Sequence, residues 1–511
     1  MSVRTFDVSV AVSGRSLVRV SGYPVFDDCI TFLFGESGIG KSVISKALYG
    51  FSRSTELQIE INGRPYGDHL KDPWTRAVNR NSFFVFQEPS SHLNPLMTIS
   101  DQLNEGSLAG ISEQEILTRL WRTIPETVLQ KILKVFPKPF RPSGGEKQRI
   151  LLAMAFKRID AWIASPGSAE PTYFVFDEPT GSLDNSYRNL FLDLLFEKYA
   201  IKPFTAVIIT HDYSIISEIV NRHRRFIDRV RFKELSRREG TTVAVNDFSA
   251  DEYLDWLKVP HTRPAGKLIA EPVLEVQPQF SIFNRRLGIF ADSGRTRLRP
   301  LVINKNEMVY LKAPSGVGKT TLAKIIMGIY HPDSFSMVLD GINITEKSPL
   351  SLWSSAVWGK RAGMVFQHAD ESLNLASTVR ETFKGLPLKK RLTSDALVNH
   401  LMELFEGPIT DSFLRKKVAW LSGGQKQRLN LLRSLILGTA LIILDEPLNG
   451  LDFASVIKVL DLLKEKQRLD SALLMISHNE EIFEHFVDER NIYYLGIIET
   501  PEPFRTRRSN V

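Results

Sequence analysis

The run Gly35-Glu-Ser-Gly-Ile-Gly-Lys-Ser42 places glycines, a lysine and a hydroxyl at a spacing suited to phosphate chemistry. Glycines let consecutive backbone N–H groups turn inward around phosphate oxygens, a helix N-terminus adds a favourable partial charge, and a lysine reaches the outer phosphates. Gly35, Ser37, Gly38, Gly40 and Lys41 are therefore candidate nucleotide ligands, and the Ser42 hydroxyl is placed for Mg2+. A second run, Ala313-Pro-Ser-Gly-Val-Gly-Lys-Thr320, offers Ser315, Gly316, Gly318, Lys319 and Thr320 in the same roles. Alanine stands there where the first glycine stood, and because alanine resists positive φ the loop entrance is expected to be altered while binding survives.

Asp177 and Asp445 each close a short apolar run, where a carboxylate would hold the magnesium ion. Glu178 and Glu446 follow directly and are placed to polarise an attacking water. His211 and His478, each just after another apolar run, are placed to contact the outer phosphate and order that water. A capping acid or a surface histidine would account for any one of these residues. The same pair at matching positions twice is poorly explained that way.

These residues need a scaffold that presents strand ends and helix starts side by side. The runs ITFLF, YFVF, AVIIT, LIIL and ALLMI are short, β-rich and bounded by turn residues, which predicts buried parallel strands. KSVISKALYGF and KTTLAKIIMGIY open straight after the glycine-rich loops with apolar residues at helical spacing. This is the α/β pattern. The segments from Gln87 to Ser143 and from Gln367 to Ser422 read as mostly helical lobes.

The landmarks recur in one order: RPSGGEKQR returns as WLSGGQKQR, YFVFDEPTGSLD as LIILDEPLNGLD, and VIITHD as LMISHN. The lysines lie 278 residues apart but the aspartates only 268, so the first half carries extra residues, expected as a surface loop in KRIDAWIASPGSAEPTY. The reading is a first domain over 1–256, a proline-bearing linker over 257–272 and a second domain over 273–505.

With 511 residues, 43% hydrophobic and 24% charged, the chain has the composition of ordinary folded soluble domains. It shows no apolar run of membrane-spanning length and no secretory signal core, which leads to an expectation of a cytoplasmic protein. The single cysteine, Cys29, excludes internal disulfides and multi-cysteine metal sites. The net charge of +7 resolves only into short basic clusters such as Arg222, Arg224 and Arg225, read as solvated surface, so no nucleic acid is expected.

SGGEKQR from Ser143 and SGGQKQR from Ser422 give each half a resemblance to the nucleotide-binding domain of ABC-type ATPases, and the resemblance covers nearly the whole chain. It implies tandem P-loop NTPase domains of α/β class, each a mainly parallel sheet core with an antiparallel β subdomain and a helical lobe. It implies ATP and Mg2+, hydrolysis, and an intramolecular pairing in which each ATP lies between one P-loop and the other half's signature. Ser143, Gly144 and Gly145, and Ser422, Gly423, Gly424 and Gln425, would then be the second phosphate clamps. Gln87 and Gln367 resemble the glutamines that sense magnesium, Ser182-Leu183-Asp184 and Gly450-Leu451-Asp452 resemble D-loops, and Phe290 fits the place of an adenine-stacking aromatic. Val12 stands at that place in the first half, with Phe6 as a substitute.

FVFQEPSSHLNPLMTISDQL is similar to the corresponding region of dipeptide, oligopeptide and nickel importer ATPases. That resemblance implies integral-membrane permease subunits, a solute-binding protein, and a peripheral place on the inner face of the cell membrane. The cysteine cluster and the "HPYT"-like stretch of that group are missing. An exporter ATPase is the nearest rival; a soluble twin-cassette translation factor would carry "NHLD" and a long charged linker, whereas this chain has GSLD and NGLD. The two composite sites differ in their loops and signatures, so they should hydrolyse at different rates. Comparing ATP turnover of Glu178→Gln with that of Glu446→Gln tests this; unequal losses are expected, and equal losses would count against the asymmetry.

Overall fold

The computed structural model describes residues 2–499 apart from 53–55, 109, 122–125, 137–143, 167–169, 182–184, 239, 260–270, 389–391, 406 and 469–470. The chain divides into two compact units, Met1–Trp256 and Leu257–Val511. Most of the expected linker, and with it Ser143 and the first D-loop Ser182-Leu183-Asp184, lies outside the described residues.

In the first unit five parallel strands lie side by side in the order Val230–Arg237, Ile30–Gly35, Ala206–Ile209, Phe174–Asp177 and Phe84–Val85. The three central ones are buried along their whole length, as strands covered on both faces must be, which is why their sequences are unbroken apolar runs. Beyond Val230–Arg237 the same sheet continues through Thr242–Asp247, Arg15–Phe26, Val3–Val12, Leu57–Ile61 and Arg64–Pro65, with antiparallel pairing among the last four.

The second unit repeats the parallel order with Ile492–Glu499, Met308–Lys312, Ala472–Ile476, Leu441–Asp445 and Ala362–Val365. Its hairpin Gln279–Ile282 and Arg285–Phe290 joins antiparallel to Ile492–Glu499. A separate antiparallel sheet holds Leu301–Asn304, Pro272–Val276, Ser336–Leu339 and Ile342–Thr345.

The extra residues of the first half are not a surface loop over their first part. Lys157 to Ala164 continue the helix Gly144–Ala164, which has 21 residues against 13 in its counterpart Gly423–Leu435. Ile159 and Trp162 are buried, so the apolar stripe of that helix simply runs on. Lys157, fully buried within the stripe, is neutralised by Glu113 at 2.6 Å and also donates to the Leu103 carbonyl at 2.7 Å.

The two glycine-rich loops enter differently. Gly35 is still part of its strand, paired with Leu235, and takes φ 130°. A Cβ there would stand 2.7 Å from the Leu235 carbonyl oxygen, so both its conformation and its surroundings demand glycine. Ala313 follows the end of its strand, is not in the left-handed region and is buried in the core, so alanine fits. The inner glycines keep one geometry in both loops: φ 80° and 77° at Gly38 and Gly316, φ 116° and 125° at Gly40 and Gly318. Gly35→Ala should destabilise the first unit by about 1–3 kcal/mol, whereas Ala313→Gly should cost less than about 1 kcal/mol. Thermal unfolding of the full chain reads both.

Candidate nucleotide-binding and hydrolytic sites

Each loop delivers its chain into a helix, Lys41–Tyr49 in the first unit and Lys319–Ile326 in the second. The left-handed glycine before each helix turns the loop sharply enough to leave the first-turn N–H groups pointing back at the loop, the arrangement an anion needs. Lys41 is buried, and its ammonium donates to the carbonyls of Gly35 and, at 3.1 Å, Glu36. Burial pushes its pKa down while the Glu178 and Asp177 carboxylates oppose that shift. Lys319 is buried in the same way and donates to the Ala313 carbonyl. Both lysines thus lie folded over their own loops, in reach of whatever the N–H groups hold.

Asp177 and Asp445 are the last residues of their strands, and each is 1% exposed. Ser42 donates its hydroxyl to Asp177 at 2.9 Å. Neither carboxylate oxygen of Asp445 has a hydrogen-bond partner of good geometry, although the Thr320 hydroxyl lies close enough to favour its charged form. Burial pushes both carboxyls up to about 6. A buried carboxylate lacking partners beside a hydroxyl and a phosphate loop is what a hard divalent cation would complete, so the residues present fit Mg2+.

Glu178 and Glu446 both adopt φ 50°, a strained conformation for glutamate. Each is held by its own N–H, bonded to Ile209 at 2.9 Å and to Ile476 at 2.8 Å on the next strand. A second tether had no sequence signal beyond the repeat itself. Gln148 and Gln427, five residues past the two signature serines, donate to the Pro179 carbonyl at 3.1 Å and the Glu446 carbonyl at 3.3 Å. The signature helix thereby braces the acidic turn within its own unit.

The structure brings each glutamate together with the expected histidine. His211 Nδ1 lies 2.9 Å from Glu178 Oε1, and although burial opposes protonation the carboxylate outweighs it and raises the histidine pKa. His478 Nε2 lies 3.6 Å from Glu446 Oε1. Burial pushes the Glu446 carboxyl up to about 7, with the Ser477 hydroxyl acting against that shift. The first site has a further support that the motifs did not reveal. Arg188 meets Asp212 at 3.1 Å and also donates to Ser214; burial raises the Asp212 carboxyl, but Arg188 more than compensates and leaves it lowered. Val456 and Asn479 occupy those places in the second repeat.

Other expected residues fall as follows. Ser422 caps the helix Gly423–Leu435, accepting from the Gln425 N–H at 3.1 Å while the Gln425 side chain accepts from the Ser422 N–H. This reciprocal capping box fixes the start of the signature helix. Gly144 and Gly145 open the matching helix. Asp452 of the second D-loop caps the helix Phe453–Arg468 by accepting from the Ser455 N–H at 2.8 Å. Gln87 is exposed and Gln367 half-buried, each two residues past the end of a strand. Ser37 and Ser315 are exposed at the loop tips.

The adenine-stacking expectation does not hold for Phe290. Alternation along Arg285–Phe290 puts it on the opposite face from Leu287, whose side chain approaches the loop glycine Gly318. Phe290 is instead buried against Gly496. Phe6 is equally committed, its ring 5.2 Å from that of Trp74 in the core.

Two stretches of the chain, residues 24–181 and 300–449, match the family model described as ABC transporter. The peptidoglycan transport ATP-binding protein YejF of Agrobacterium fabrum is 27% identical over 513 residues, covering 94% of this chain and 88% of its own. The glutathione import ATP-binding protein GsiA of Shigella dysenteriae is 24% identical over 519 residues, covering 91% of this chain and 80% of its own. Among solved structures, "RNase-L Inhibitor" matches with a TM-score of 0.60 at 16% identity, covering 96% of this chain and 89% of that one, which is a likeness of fold.

The buried aspartates link stability to chemistry. Asp445 holds its proton more tightly when folded than the ordinary value of 3.8, so this group favours folding below about pH 4 and that contribution is lost as pH rises through about 6. Without metal, Asp445→Asn should therefore gain on the order of 1–3 kcal/mol at pH 8 and little at pH 4. Mg-ATP should raise the unfolding temperature of the parent more than that of the variant, and the variant should lose ATP hydrolysis at its second site.

Proposed function

Since the chain belongs to the ABC transporter family, we propose that it is the ATP-hydrolysing subunit of a transporter, energising import of peptides, nickel or a related small solute through separate permease subunits. The observation that carries this reading is the presence of two complete sets of loop lysine, strand-end aspartate, glutamate and histidine in one chain whose relatives align over nine-tenths of its length. Import is supported by the glutathione import relative and by the sequence around Gln87, and a peptide-like cargo by the relatives named for peptidoglycan and glutathione. No helix among the described residues is long and apolar enough to cross a membrane.

In this reading the loop N–H groups with Lys41 or Lys319 hold the β- and γ-phosphates. Ser42 with Asp177, and Thr320 with Asp445, would hold Mg2+, joined by Gln87 and Gln367; the ion, when bound, neutralises charge developing on the phosphates. Glu178 and Glu446 orient the attacking water and accept its proton, and His211 and His478 order the outer phosphate. Ser422, Gly423, Gly424 and Gln425 close on the nucleotide of the first loop, and Ser143, Gly144 and Gly145 on that of the second. Hydrolysis would release the paired cassettes, and that cycle of closing and opening is the work passed to the permease.

Purification of the tagged full chain from membranes in mild detergent tests the assignment. Integral-membrane proteins should accompany it, with a solute-binding protein when cargo is present, and the preparation should hydrolyse ATP until EDTA removes magnesium. Ribosomal particles in place of membrane proteins would overturn the transport reading.

A further inference from the structure

The two repeats hold their glutamates with different partners, although the backbone is the same at both. In the first, the histidine ring closes on the carboxylate at 2.9 Å. In the second, Ser477 donates its hydroxyl to Glu446 Oε2 at 2.9 Å, and the histidine stands off at 3.6 Å from the other oxygen. A different ring nitrogen faces the acid in each case, Nδ1 of His211 and Nε2 of His478. The His478 side chain is also the more exposed, 36% against 25%.

Ser477 corresponds to Thr210, and both hydroxyls make the same local turn. The Asp212 N–H donates to Thr210 at 3.0 Å and the Asn479 N–H donates to Ser477 at 3.1 Å. Only Ser477 spends its proton on the glutamate. The branched threonine has fewer side-chain rotamers than serine, and the residue after the histidine in the first repeat, Asp212, is anchored by Arg188. A hydrogen bond from a hydroxyl to a carboxylate is among the stronger in proteins, so it competes with both the histidine and an incoming water for the orientation of that group.

We propose that Ser477 is a positioning residue that restrains Glu446, so that the second cassette must break this bond before its glutamate can orient water and turns over more slowly than the first. This rests on the hydrolytic reading of both cassettes and adds to it which one is slow and what slows it.

Ser477→Ala and Thr210→Ala, each in the full chain, form a matched pair. Both delete the same turn bond, and only the first also removes a hydroxyl from a glutamate, whose bond from the His478 backbone N–H remains. Steady-state ATP hydrolysis with Mg2+ should show kcat of Ser477→Ala about two- to fivefold above that of Thr210→Ala, with KM for ATP unchanged. Ser477→Cys, whose thiol is a weak donor, should move kcat the same way by less. Equal kcat for the two alanine variants, or a fall confined to the Ser477 variants, would overturn the proposal. A parent chain without Mg-dependent hydrolysis would instead remove the functional reading beneath it.

Discussion

The proposed mechanism requires two adjacent carboxylates to act on one phosphate end, and a regular β-strand forbids it: successive side chains point to opposite faces. Both repeats solve this by ending the strand on the aspartate and forcing the following glutamate to φ 50°. Such a backbone costs about 1–2 kcal/mol, and no side-chain feature of glutamate offsets it. The surrounding structure does. The glutamate N–H is pinned to the neighbouring strand, and a glutamine from the signature helix clamps a carbonyl of the same turn. Once the turn is made, Asp177 and Glu178 both act on the buried Lys41. The order of the parallel strands follows from the same need, since the loop lysine, the acids and the histidine come from the ends of three neighbouring strands.

Burial explains why these ends are electrostatically uncomfortable. Lys41 is pushed down, and Asp177, Asp445 and Glu446 are pushed up, because each charge has left water for the protein interior. A fold selected for stability alone would not keep Asp445 without a hydrogen-bond partner. A divalent ion and a polyphosphate would supply the opposite charges that these groups lack.

Much of this was legible in the sequence, because glycine, lysine and acid each have a physical requirement that few other residues meet. The glycine at position 35 and the alanine at position 313 were read as a difference, and the difference is real: one loop leaves its strand through a left-handed residue that touches a neighbouring carbonyl, the other does not. What could not be read was direction and depth. Phe290 has the right spacing from Lys319, yet spacing does not say which face of a strand a ring takes, and here the ring packs against Gly496 while Leu287 approaches the loop. The proline, glycine and serine after Ala164 suggested a loop, but Ile159 and Trp162 before them carry helical spacing that keeps the helix going. Gln148 and Gln427 sit inside the recurring motif and look like surface polar residues until their carbonyl partners are seen.

Fusing two cassettes in one chain changes what substitution can do. In an assembly of identical subunits every change appears twice, so a residue that slows one site slows both. Here both repeats keep the loop lysine, strand-end aspartate, glutamate and histidine and differ in the neighbours of those residues. Arg188 and Asp212 have no counterpart in Val456 and Asn479, and Thr210 has become Ser477. Among these differences, the exchange of Thr210 for Ser477 falls beside the histidine, where a change of partner reaches the glutamate directly. Sites that bind alike and differ in readiness to react can act in sequence, and an ordered pair of hydrolytic events is more easily given a direction than two simultaneous ones.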